Sequence, residues 1–240
     1  MSATERRSLP RTAAMWDALA PVLDAATAPL DVVDLGGGTG GFAVPVAQRG
    51  HRVVVVDPSP DALAALGRRA QELDLEVVGR QGDLSDVVDL VGAGSADLVL
   101  CHGVLEVVPD ATAALAALHA LLRDGGALSL LVAQRHAAVL ARARAGHLTQ
   151  ALALLDDTAP QGRTGRRFTA EEVQEAVRAA GLVPASVHGV RVFADQVPES
   201  LLDLESGAAA TLTELERAVA TRPEYWPLAS QLHVLAHRPA

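Results

Sequence analysis

A glycine-rich turn between two apolar runs constrains the fold of this chain more than any other feature. The first run ends at Leu35, glycines occupy positions 36, 37, 38, 40 and 41, and the second run ends at Asp57. Glycine has no Cβ, so a strand-to-helix turn of this kind can adopt positive φ and let the backbone approach a ligand closely. An acid at the end of the second strand can accept hydrogen bonds from ribose hydroxyls. The turn therefore predicts a nucleotide-cofactor site.

The apolar runs alternate with alanine- and leucine-rich segments of helical period. Strands are expected at residues 32–35, 53–56, 75–78, 97–101 and 127–132, and helices at residues 40–49, 60–72, 111–122 and 170–180. Further along the chain, residues 183–192 and 231–236 have the pattern of strands, and residues 206–221 have the pattern of a helix. This alternation predicts an α/β fold in which helices cover both faces of a largely parallel sheet.

Two segments lie outside this alternation. Residues 7–25 have the pattern of an amphipathic helix, and we expect residues 1–28 to form an N-terminal helical lid. Residues 134–168 form an insertion after the fifth strand, and we expect it to lie over the carboxyl edge of the sheet, where ligands bind. A chain of this length can bury one sizeable core, so we expect residues 1–240 to form one domain.

The same glycines also fit the G-x-G-x-x-G pattern of NAD-binding folds, at positions 36, 38 and 41. Two acids favour a different cofactor. Asp34 lies just before the first glycine and suits a cofactor with a cationic amino-acid end, whereas a pyrophosphate gains nothing from a nearby carboxylate. Asp83 follows Gly82 and the third apolar run, where it can contact the edge of an adenine. These residues favour S-adenosylmethionine (SAM) over NAD.

Taken together, Asp34, the glycine turn, Asp57 and Asp83 resemble the motifs of the class I SAM-dependent methyltransferases. The resemblance implies a Rossmann-like fold with a mostly parallel seven-stranded sheet, whose last strand is antiparallel, and with helices on both faces. It also implies that the chain is an enzyme that transfers a methyl group from SAM to an acceptor.

A narrower resemblance extends over residues 11–239, to the bacterial tRNA carboxymethoxyuridine methyltransferases, which esterify the carboxylate of a modified wobble uridine. Its most specific parts are Asp34 with residues 36–38, residues 49–51, residues 102–106 and the stretch 189–193, which weighs most, and Glu216 belongs to the part that extends the resemblance to the C-terminus. The family implies that Arg11 pairs with the methionine carboxylate of SAM. The implied cofactor-binding residues are Arg11, Asp34, Gly36, Gly37, Gly38, Asp57, Gly82, Asp83 and His102.

His102 and Arg191 are the candidate catalytic residues. His102 follows the fourth predicted strand, at the edge where cofactor and acceptor would meet, and it could contact the cofactor or act as a general base. Arg191 could neutralise the carboxylate of the acceptor through a bidentate pair. Each residue has a structural alternative: a hydrogen-bonded histidine at a strand end for His102, and a salt-bridged arginine for Arg191.

The charge of the chain bears on the identity of the acceptor. The net charge is −9, all 20 basic residues are arginine, and aromatic residues make up 2%. A tRNA acceptor therefore requires a local arginine patch, and Arg163, Arg166 and Arg167 form the only concentrated basic run. The alternatives are a small-molecule O- or N-methyltransferase and a SAM-binding partner protein without catalysis. The sequence predicts no oligomeric state.

Other sequence features bear on localisation and metal binding. No apolar run reaches the ~18 residues of a membrane span, and the N-terminus lacks the apolar core of a signal peptide. We therefore expect a cytoplasmic protein that does not contact a membrane. Cys101 is the only cysteine, which leaves no disulfide and no cysteine-cluster zinc site. The histidines lack partner acids at ligand spacing, so we expect no metal.

Overall fold

A seven-stranded mixed sheet forms the centre of the computed structural model, which describes residues 3–155, 165–204 and 207–240. The strands are β1 (Asp31–Leu35), β2 (Arg52–Asp57), β3 (Val77–Gln81), β4 (Ala96–His102), β5 (Leu122–Ala133), β6 (Val183–Val190) and β7 (Gln231–His237). Their order across the sheet is β3-β2-β1-β4-β5-β7-β6. Strands β1 to β5 are parallel, and β7 is antiparallel to both β5 and β6. The predicted α/β class and the antiparallel last strand are confirmed.

Helices connect the strands and cover both faces of the sheet. In the described residues they are α1 (Ala3–Asp24), α2 (Ala43–Gln48), α3 (Pro60–Glu72), α4 (Val87–Val91), α5 (Ala111–Leu121), α6 (Arg135–Arg144), α7 (Leu148–Leu154), α8 (Ala170–Ala179), α9 (Glu199–Leu204), α10 (Ala208–Ala220) and a 3₁₀ helix (Pro223–Leu228). None of these helices is long and apolar enough to cross a membrane.

Neighbouring residues of β1 illustrate how the core is divided between the two faces. Val32 belongs to a buried cluster with Leu19 of α1 and Val44 of α2. The next residue, Val33, belongs to a separate buried cluster with Leu115 of α5. Successive side chains of a strand point to opposite faces of a sheet, so each face has its own core. Val32, Val33 and Leu35 of β1 are all buried because both faces of the strand are covered.

Strand β3 begins two residues later than predicted and extends further, over Val77–Gln81 instead of residues 75–78. It lies at the edge of the sheet and pairs with β2 alone. Most of its side chains are exposed, and Val78 is 49% exposed. An edge strand of this kind can include polar residues such as Arg80, and apolar patterning therefore locates it poorly.

Side-chain caps define the start of two helices. The Asp110 carboxylate accepts hydrogen bonds from the backbone N–H groups of Thr112 and Ala113 at the start of α5. At the start of α8, Thr169 and Glu172 form a reciprocal capping box. Such caps satisfy backbone N–H groups that have no partner within the helix.

The insertion leaves the sheet and returns to it at a single point. The backbone N–H of Phe168 donates to the carbonyl of Ala133 at 2.9 Å, and the N–H of Arg135 donates to the carbonyl of Phe168 at 3.0 Å. Helices α6 and α7 occupy the alanine-rich part of the insertion. Residues 156–164, which include Arg163 of the predicted basic run, lie outside the described residues. The ends of the insertion are therefore fixed at the carboxyl end of β5.

Candidate functional site

The glycine turn after β1 is held against the end of β2 by two hydrogen bonds that backbone N–H groups of the turn donate. The N–H of Gly36 donates to the carbonyl of Val56 at 2.8 Å, and the N–H of Gly38 donates to Oδ2 of Asp57 at 2.9 Å. Gly36 and Gly38 have φ values of 66° and 54°. Side chains with a Cβ rarely adopt this region, so the shape of the turn requires glycine.

Gly37 is required for a different reason, since its backbone lies directly on the Asp34 side chain. A Cβ at Gly37 would lie 2.5 Å from Oδ2 of Asp34 and 3.0 Å from Cγ1 of Val55. A Cβ at Gly41, by contrast, would meet no heavy atom within 4 Å. The turn therefore seals Asp34 beneath the backbone at Gly37.

Asp34 is a buried acid without a countercharge in the described part of the chain. Its side chain is 2% exposed, and Oδ2 has no hydrogen-bond partner there. The pKa of Asp34 is raised to about 7, chiefly by burial. A hydrogen bond from the backbone of Ala43 lowers the pKa, and the negative charge of Asp57 raises it. A buried carboxyl group of this kind is best stabilised by a proton or by a cation bound next to it.

A cavity of about 830 Å³ opens beside the turn, and we call it the glycine-loop cavity. Five of the predicted cofactor residues line it: Gly36, Asp57, Gly82, Asp83 and His102. Its apolar wall comprises Leu35, Val56, Leu84, Val104, Val107 and Val108. The volume falls in the range of small-molecule and cofactor sites, which combine apolar walls with a few oriented polar groups.

Two carboxylates of the glycine-loop cavity are oriented by backbone N–H groups. Asp57 accepts from Gly38 through Oδ2 and from Ser59 through Oδ1, at 2.9 and 2.8 Å. Asp83 accepts from the N–H and the hydroxyl of Ser85, at 2.7 and 2.6 Å, and these bonds lower the pKa of Asp83. A carboxylate offers about four acceptor directions, so both acids keep capacity for the hydroxyl or amino groups of a ligand.

His102 is held at the end of β4 by a chain of buried hydrogen bonds. Its Nε2 lies 2.8 Å from Oγ of Ser129 on β5, and the same oxygen lies 2.8 Å from Nε2 of His233 on β7. His188 on β6 continues the chain, with its Nδ1 3.4 Å from Nδ1 of His233. Among the described residues, Nδ1 of His102 has no partner. The chain thus fixes one ring nitrogen of His102, and the other is buried without a hydrogen-bond partner in the described residues.

Burial keeps His102 neutral. It lowers the pKa of His102 to about 3 and also lowers the pKa values of His188 and His233. An imidazole with such a pKa is a weak general base at neutral pH, because proton transfer works best when the pKa lies near the operating pH. This favours contact with a ligand over proton abstraction as the role of His102.

Aromatic side chains connect His102 to the N-terminal helix. Phe42 meets the His102 ring edge-on, with centroids 4.6 Å apart, and stacks on Trp16 of α1 at 4.8 Å. The guanidinium of Arg49 lies 5.5 Å from the centroid of the Trp16 ring. Helix α1 therefore contacts the site through Trp16 and Phe42, where the sequence predicts a lid.

The structure brings Arg11 and Arg191 together away from the lining of the glycine-loop cavity. Arg191 donates to Oδ1 of Asp195 from Nε at 3.1 Å and from Nη2 at 2.7 Å, and to Gln231 at 3.3 Å. Nη2 of Arg11 lies 4.0 Å from the same Asp195 oxygen. Arg191 lines a second cavity of about 640 Å³, which we call the arginine cavity, together with Arg144 and Arg167. Both predicted roles, for Arg11 at the cofactor and for Arg191 at the acceptor, stay predictions.

Glu216 of α10 fixes the backbone around Arg191. It is 1% exposed and accepts hydrogen bonds from the backbone N–H groups of Val192, Phe193 and Ala194, at 3.0, 2.7 and 2.7 Å. Arg191 itself has a φ of 61°, which is unusual for a residue other than glycine. The stretch at 189–193 and Glu216, which are distant in the sequence, therefore form one structural unit.

Glu106 connects the loop after β4 to the end of β5 and to the insertion. Its Oε1 accepts from the N–H of Ala133 at 2.7 Å, and its carbonyl accepts from the N–H of Arg166 at 2.7 Å. Burial raises the pKa of Glu106, hydrogen bonds from the backbone lower it, and the charge of Arg167 lowers it as well. Gly165 packs against the Glu106 backbone so closely that a Cβ there would lie 2.6 Å from the Glu106 carbonyl oxygen. Glu106 thus joins the end of β5 to the returning end of the insertion.

Comparison with known proteins identifies the family. The sequence matches the family described as a methyltransferase domain over residues 6–187. This chain belongs to the SAM-dependent methyltransferases. It is 30% identical to the tRNA 5-carboxymethoxyuridine methyltransferase of Escherichia coli (strain K12), over 95% of this chain and 88% of that protein. It is 35% identical to a ubiquinone biosynthesis O-methyltransferase of Xanthomonas oryzae pv. oryzae, over 54% of this chain and 56% of that protein.

A solved structure supports the fold of the methyltransferase. The 1,6-didemethyltoxoflavin-N1-methyltransferase of Burkholderia thailandensis, with bound 1,6-didemethyltoxoflavin and S-adenosylhomocysteine, has a TM-score of 0.59 at 22% identity. The match covers 98% of this chain and 80% of that chain. The cofactor of this methyltransferase is SAM, and the glycine-loop cavity fits it in volume and in its oriented carboxylates. Among the described residues, no group of His, Cys, Asp and Glu could hold a metal ion.

Sequence reasoning missed several residues of the methyltransferase site. Ser129, His188 and His233 support His102, and Gln134 and Arg144 line the arginine cavity. The two missed histidines carry a weak signal, because the residues directly before and after each of them are not polar. Their meeting depends on the pairing of β7 with β5 and β6, which brings His188 opposite His233 and which no local pattern specifies.

Proposed function

We propose that this methyltransferase transfers the methyl group of SAM to a carboxylate oxygen of a modified wobble uridine in tRNA. The observation that carries the proposal is the 30% identity to the tRNA 5-carboxymethoxyuridine methyltransferase of Escherichia coli, which extends over 95% of the chain. The likeness therefore includes the insertion and the C-terminal strands as well as the cofactor motifs. A tRNA acceptor also implies that the methyltransferase works in the cytoplasm.

We assign the glycine-loop cavity to SAM. In this assignment Gly36, Gly37 and Gly38 bring the backbone to the methionine part, with Asp34 beneath them as the group that offsets positive charge. The Asp57 carboxylate holds the ribose hydroxyls, and Gly82 with Asp83 contacts the adenine edge. Arg11 pairs with the methionine carboxylate, and His102 lies at the cofactor edge. The assignment is supported by the lining of the cavity, to which five of these nine residues belong.

The chemistry of the site favours an acceptor that is already ionised. When bound, SAM supplies a methyl group on a sulfonium leaving group, so the protein chiefly has to align the reactants and exclude water. A carboxylate needs no general base, whereas a phenol or a protonated amine does. The low pKa of His102, about 3, makes it unsuited to deprotonate such groups at neutral pH. In this proposal His102, whose ring lines the glycine-loop cavity, positions the reactants at the cofactor edge.

Arg191 is the residue that we assign to the carboxylate of the acceptor. Its guanidinium is now paired with Asp195, and its side chain is 31% exposed, so part of it remains accessible. An arginine can bind one carboxylate edge-on and a second through its remaining N–H groups, because it has five donors. Asp195 thus orients Arg191 at the wall of the arginine cavity without using all of its donors.

A small-molecule O-methyltransferase is the second candidate. It is favoured by the 35% identity over 54% of the chain to a ubiquinone biosynthesis O-methyltransferase and by the net charge of −9. This match covers about half of the chain, whereas the match to the tRNA enzyme covers nearly all of it. The longer match makes the tRNA acceptor the better supported proposal.

Mass spectrometry of tRNA nucleosides tests the proposal in cells. In a strain from which the gene is deleted, we expect carboxymethoxyuridine to accumulate as the free acid and its methyl ester to disappear. Complementation with the wild-type gene should restore the ester, and complementation with Asp57→Ala should not, since that variant loses the ribose contact. An unchanged ratio of ester to free acid in the deletion strain would contradict the tRNA assignment and favour the small-molecule alternative.

A further inference from the structure

The arginine cavity lies between α6 and the carboxyl end of the sheet, next to the proposed site of methyl transfer. Its polar lining includes Gln134, Arg144, Arg167, Arg191, Asp195 and Gln231. The wall contributed by α6 consists mostly of alanines, and such small side chains leave the volume of about 640 Å³ open. A cavity of this size can admit a nucleotide-sized group.

The charges that line the arginine cavity do not balance. Three guanidinium groups face one carboxylate, Asp195, which already accepts two hydrogen bonds from Arg191. In the described residues, neither Arg144 nor Arg167 forms a salt bridge, and Arg144 donates to the amide oxygen of Gln196 instead. The lining therefore carries excess positive charge in a protein whose net charge is −9.

The surroundings of Arg167 favour the binding of an anion next to its guanidinium. It is half-buried, and both burial and the neighbouring charge of Arg142 lower the pKa of its guanidinium. The carboxyl of Glu106 acts in the opposite direction; its Oε1 accepts from the N–H of Ala133, and its Oε2 has no hydrogen-bond partner among the described residues. A half-buried guanidinium close to a second one is stabilised when an anion binds between them.

We propose that the arginine cavity binds a backbone phosphate of the acceptor, through Arg144 and Arg167. The proposal rests on the proposed tRNA acceptor, and it assigns the phosphate to two arginines other than Arg191. Guanidinium groups bind phosphate oxygens bidentately, and phosphate contacts hold a nucleic acid in place without reading its sequence. A local site of this kind explains how an acidic protein retains RNA.

The location of the arginine cavity suits this role. His102 on β4 pairs in register with Leu131 on β5, and two residues further β5 ends at Ala133, where the arginine cavity begins. Glu106 joins Ala133, which lines the arginine cavity, to the backbone of Arg166, and the next residue, Val107, lines the glycine-loop cavity. A phosphate bound at Arg167 would therefore hold the adjoining nucleoside at the same edge of the sheet as His102.

Fluorescence anisotropy with a labelled anticodon stem-loop RNA tests the proposal on the S-adenosylhomocysteine-loaded protein at several salt concentrations. We expect Arg167→Gln and Arg144→Gln each to weaken RNA binding about tenfold and to reduce the slope of log affinity against log salt by about one. Arg178→Gln is the matched control, because Arg178 is an exposed arginine of α8 whose guanidinium donates a hydrogen bond to the side-chain oxygen of Gln174. Its RNA affinity and salt slope should equal those of the wild type.

Calorimetry with S-adenosylhomocysteine and the melting temperature establish whether each variant is folded, and both should be unchanged in Arg144→Gln, which alters an exposed side chain. Wild-type affinity and salt slope in both Arg144→Gln and Arg167→Gln would overturn the proposal. Displacement of the RNA by micromolar inorganic phosphate would also overturn it, in favour of a site for free phosphate. RNA binding that depends on both arginines, without methylation of the RNA, would uphold the phosphate site and refute the proposed acceptor.

Discussion

The hydroxyl of Ser129 lies 2.8 Å from Nε2 of His102, and this contact orients the histidine that faces the proposed cofactor. Oγ of Ser129 also lies 2.8 Å from Nε2 of His233. A serine has one hydroxyl proton, and each neutral imidazole has one N–H, so Ser129 accepts from one histidine and donates to the other. We expect His102 to be held as a single tautomer, with Nδ1 outside the chain.

Replacement of Ser129 tests this arrangement. Ser129→Ala leaves two buried ring nitrogens without a partner, and we expect it to reduce the free energy of unfolding by about 2 kcal/mol. It should also slow methyl transfer, because His102 is no longer fixed. The measurement is ¹⁵N NMR of the His102 ring, which should change from one tautomer to a mixture. Ser95→Ala, which removes a hydroxyl hydrogen bond in a remote turn, should leave the His102 signal unchanged. An unchanged His102 spectrum in Ser129→Ala would refute the role of the serine.

The pKa of Asp34 predicts how stability and SAM binding depend on pH. In the folded chain the pKa is about 7, above the ordinary value of 3.8, so the protonated carboxyl stabilises the fold. This contribution is fully present below about pH 4 and is lost as the pH rises through about 7. We expect the SAM-free protein to lose melting temperature over this range, and Asp34→Asn to reduce the loss.

A cationic ligand next to Asp34 reverses the preference, because it favours the ionised carboxylate. The affinity for SAM should therefore rise by up to about tenfold per pH unit below pH 7 and level off above it. Calorimetry in buffers of different ionisation enthalpy should detect the release of a proton on binding. A SAM affinity that is independent of pH between about 5 and 8 would mean that Asp34 does not face the cation of the cofactor.

Two glycines of the turn offer a matched pair of substitutions. Gly37→Ala places a Cβ 2.5 Å from Oδ2 of Asp34, and we expect it to weaken SAM binding by about tenfold or more, because the turn must move. Gly41→Ala adds a Cβ in open space and should bind SAM as the wild type does. Titration calorimetry with SAM compares the two. Equal affinities would show that the backbone at Gly37 is not part of the cofactor site.

Glu216 should determine the stability of the turn that carries Arg191. Glu216→Gln keeps one side-chain oxygen, which can still accept from the N–H groups of Phe193 and Ala194, but it places an amide NH₂ group, which cannot accept, against the N–H of Val192. We expect a loss of about 1 to 3 kcal/mol in the free energy of unfolding and a higher KM for the acceptor, with unchanged affinity for SAM. Glu214→Gln, an exposed change on the same helix, is the control. If both variants melt at the same temperature, Glu216 does not support the turn.

Much of the fold could be predicted because it follows from local patterns. Buried strands such as β1 and β4 contain runs of consecutive apolar residues, and the caps at Asp110 and Thr169 lie at the starts of α5 and α8. The start of the edge strand β3 was predicted two residues too early, because its exposed side chains are not required to be apolar.

The candidate site was predictable where one turn holds its residues together, and less so where distant strands meet. Gly36 and Asp57 follow neighbouring strands and were expected to face one ligand, and both line the glycine-loop cavity. The pairing of Arg191 with Asp195 in the arginine cavity depends on the turn after β6, which no local pattern specifies, and the predicted role of Arg191 at the acceptor stays a prediction. The partnership of His102 with Ser129 depends on the register of β4 against β5, which a single sequence does not specify.

The most direct test of the proposed function is methyl transfer by the purified protein, with radiolabelled SAM and an anticodon stem-loop RNA that carries carboxymethoxyuridine. We expect label in the RNA as an ester that mild alkali removes, and no label in the same RNA with an unmodified uridine. Since the nucleophile is already a carboxylate, the rate at saturating SAM should change little between about pH 6 and pH 9. No label in the modified RNA, with efficient methylation of a small carboxylic acid or phenol under the same conditions, would contradict the proposed function.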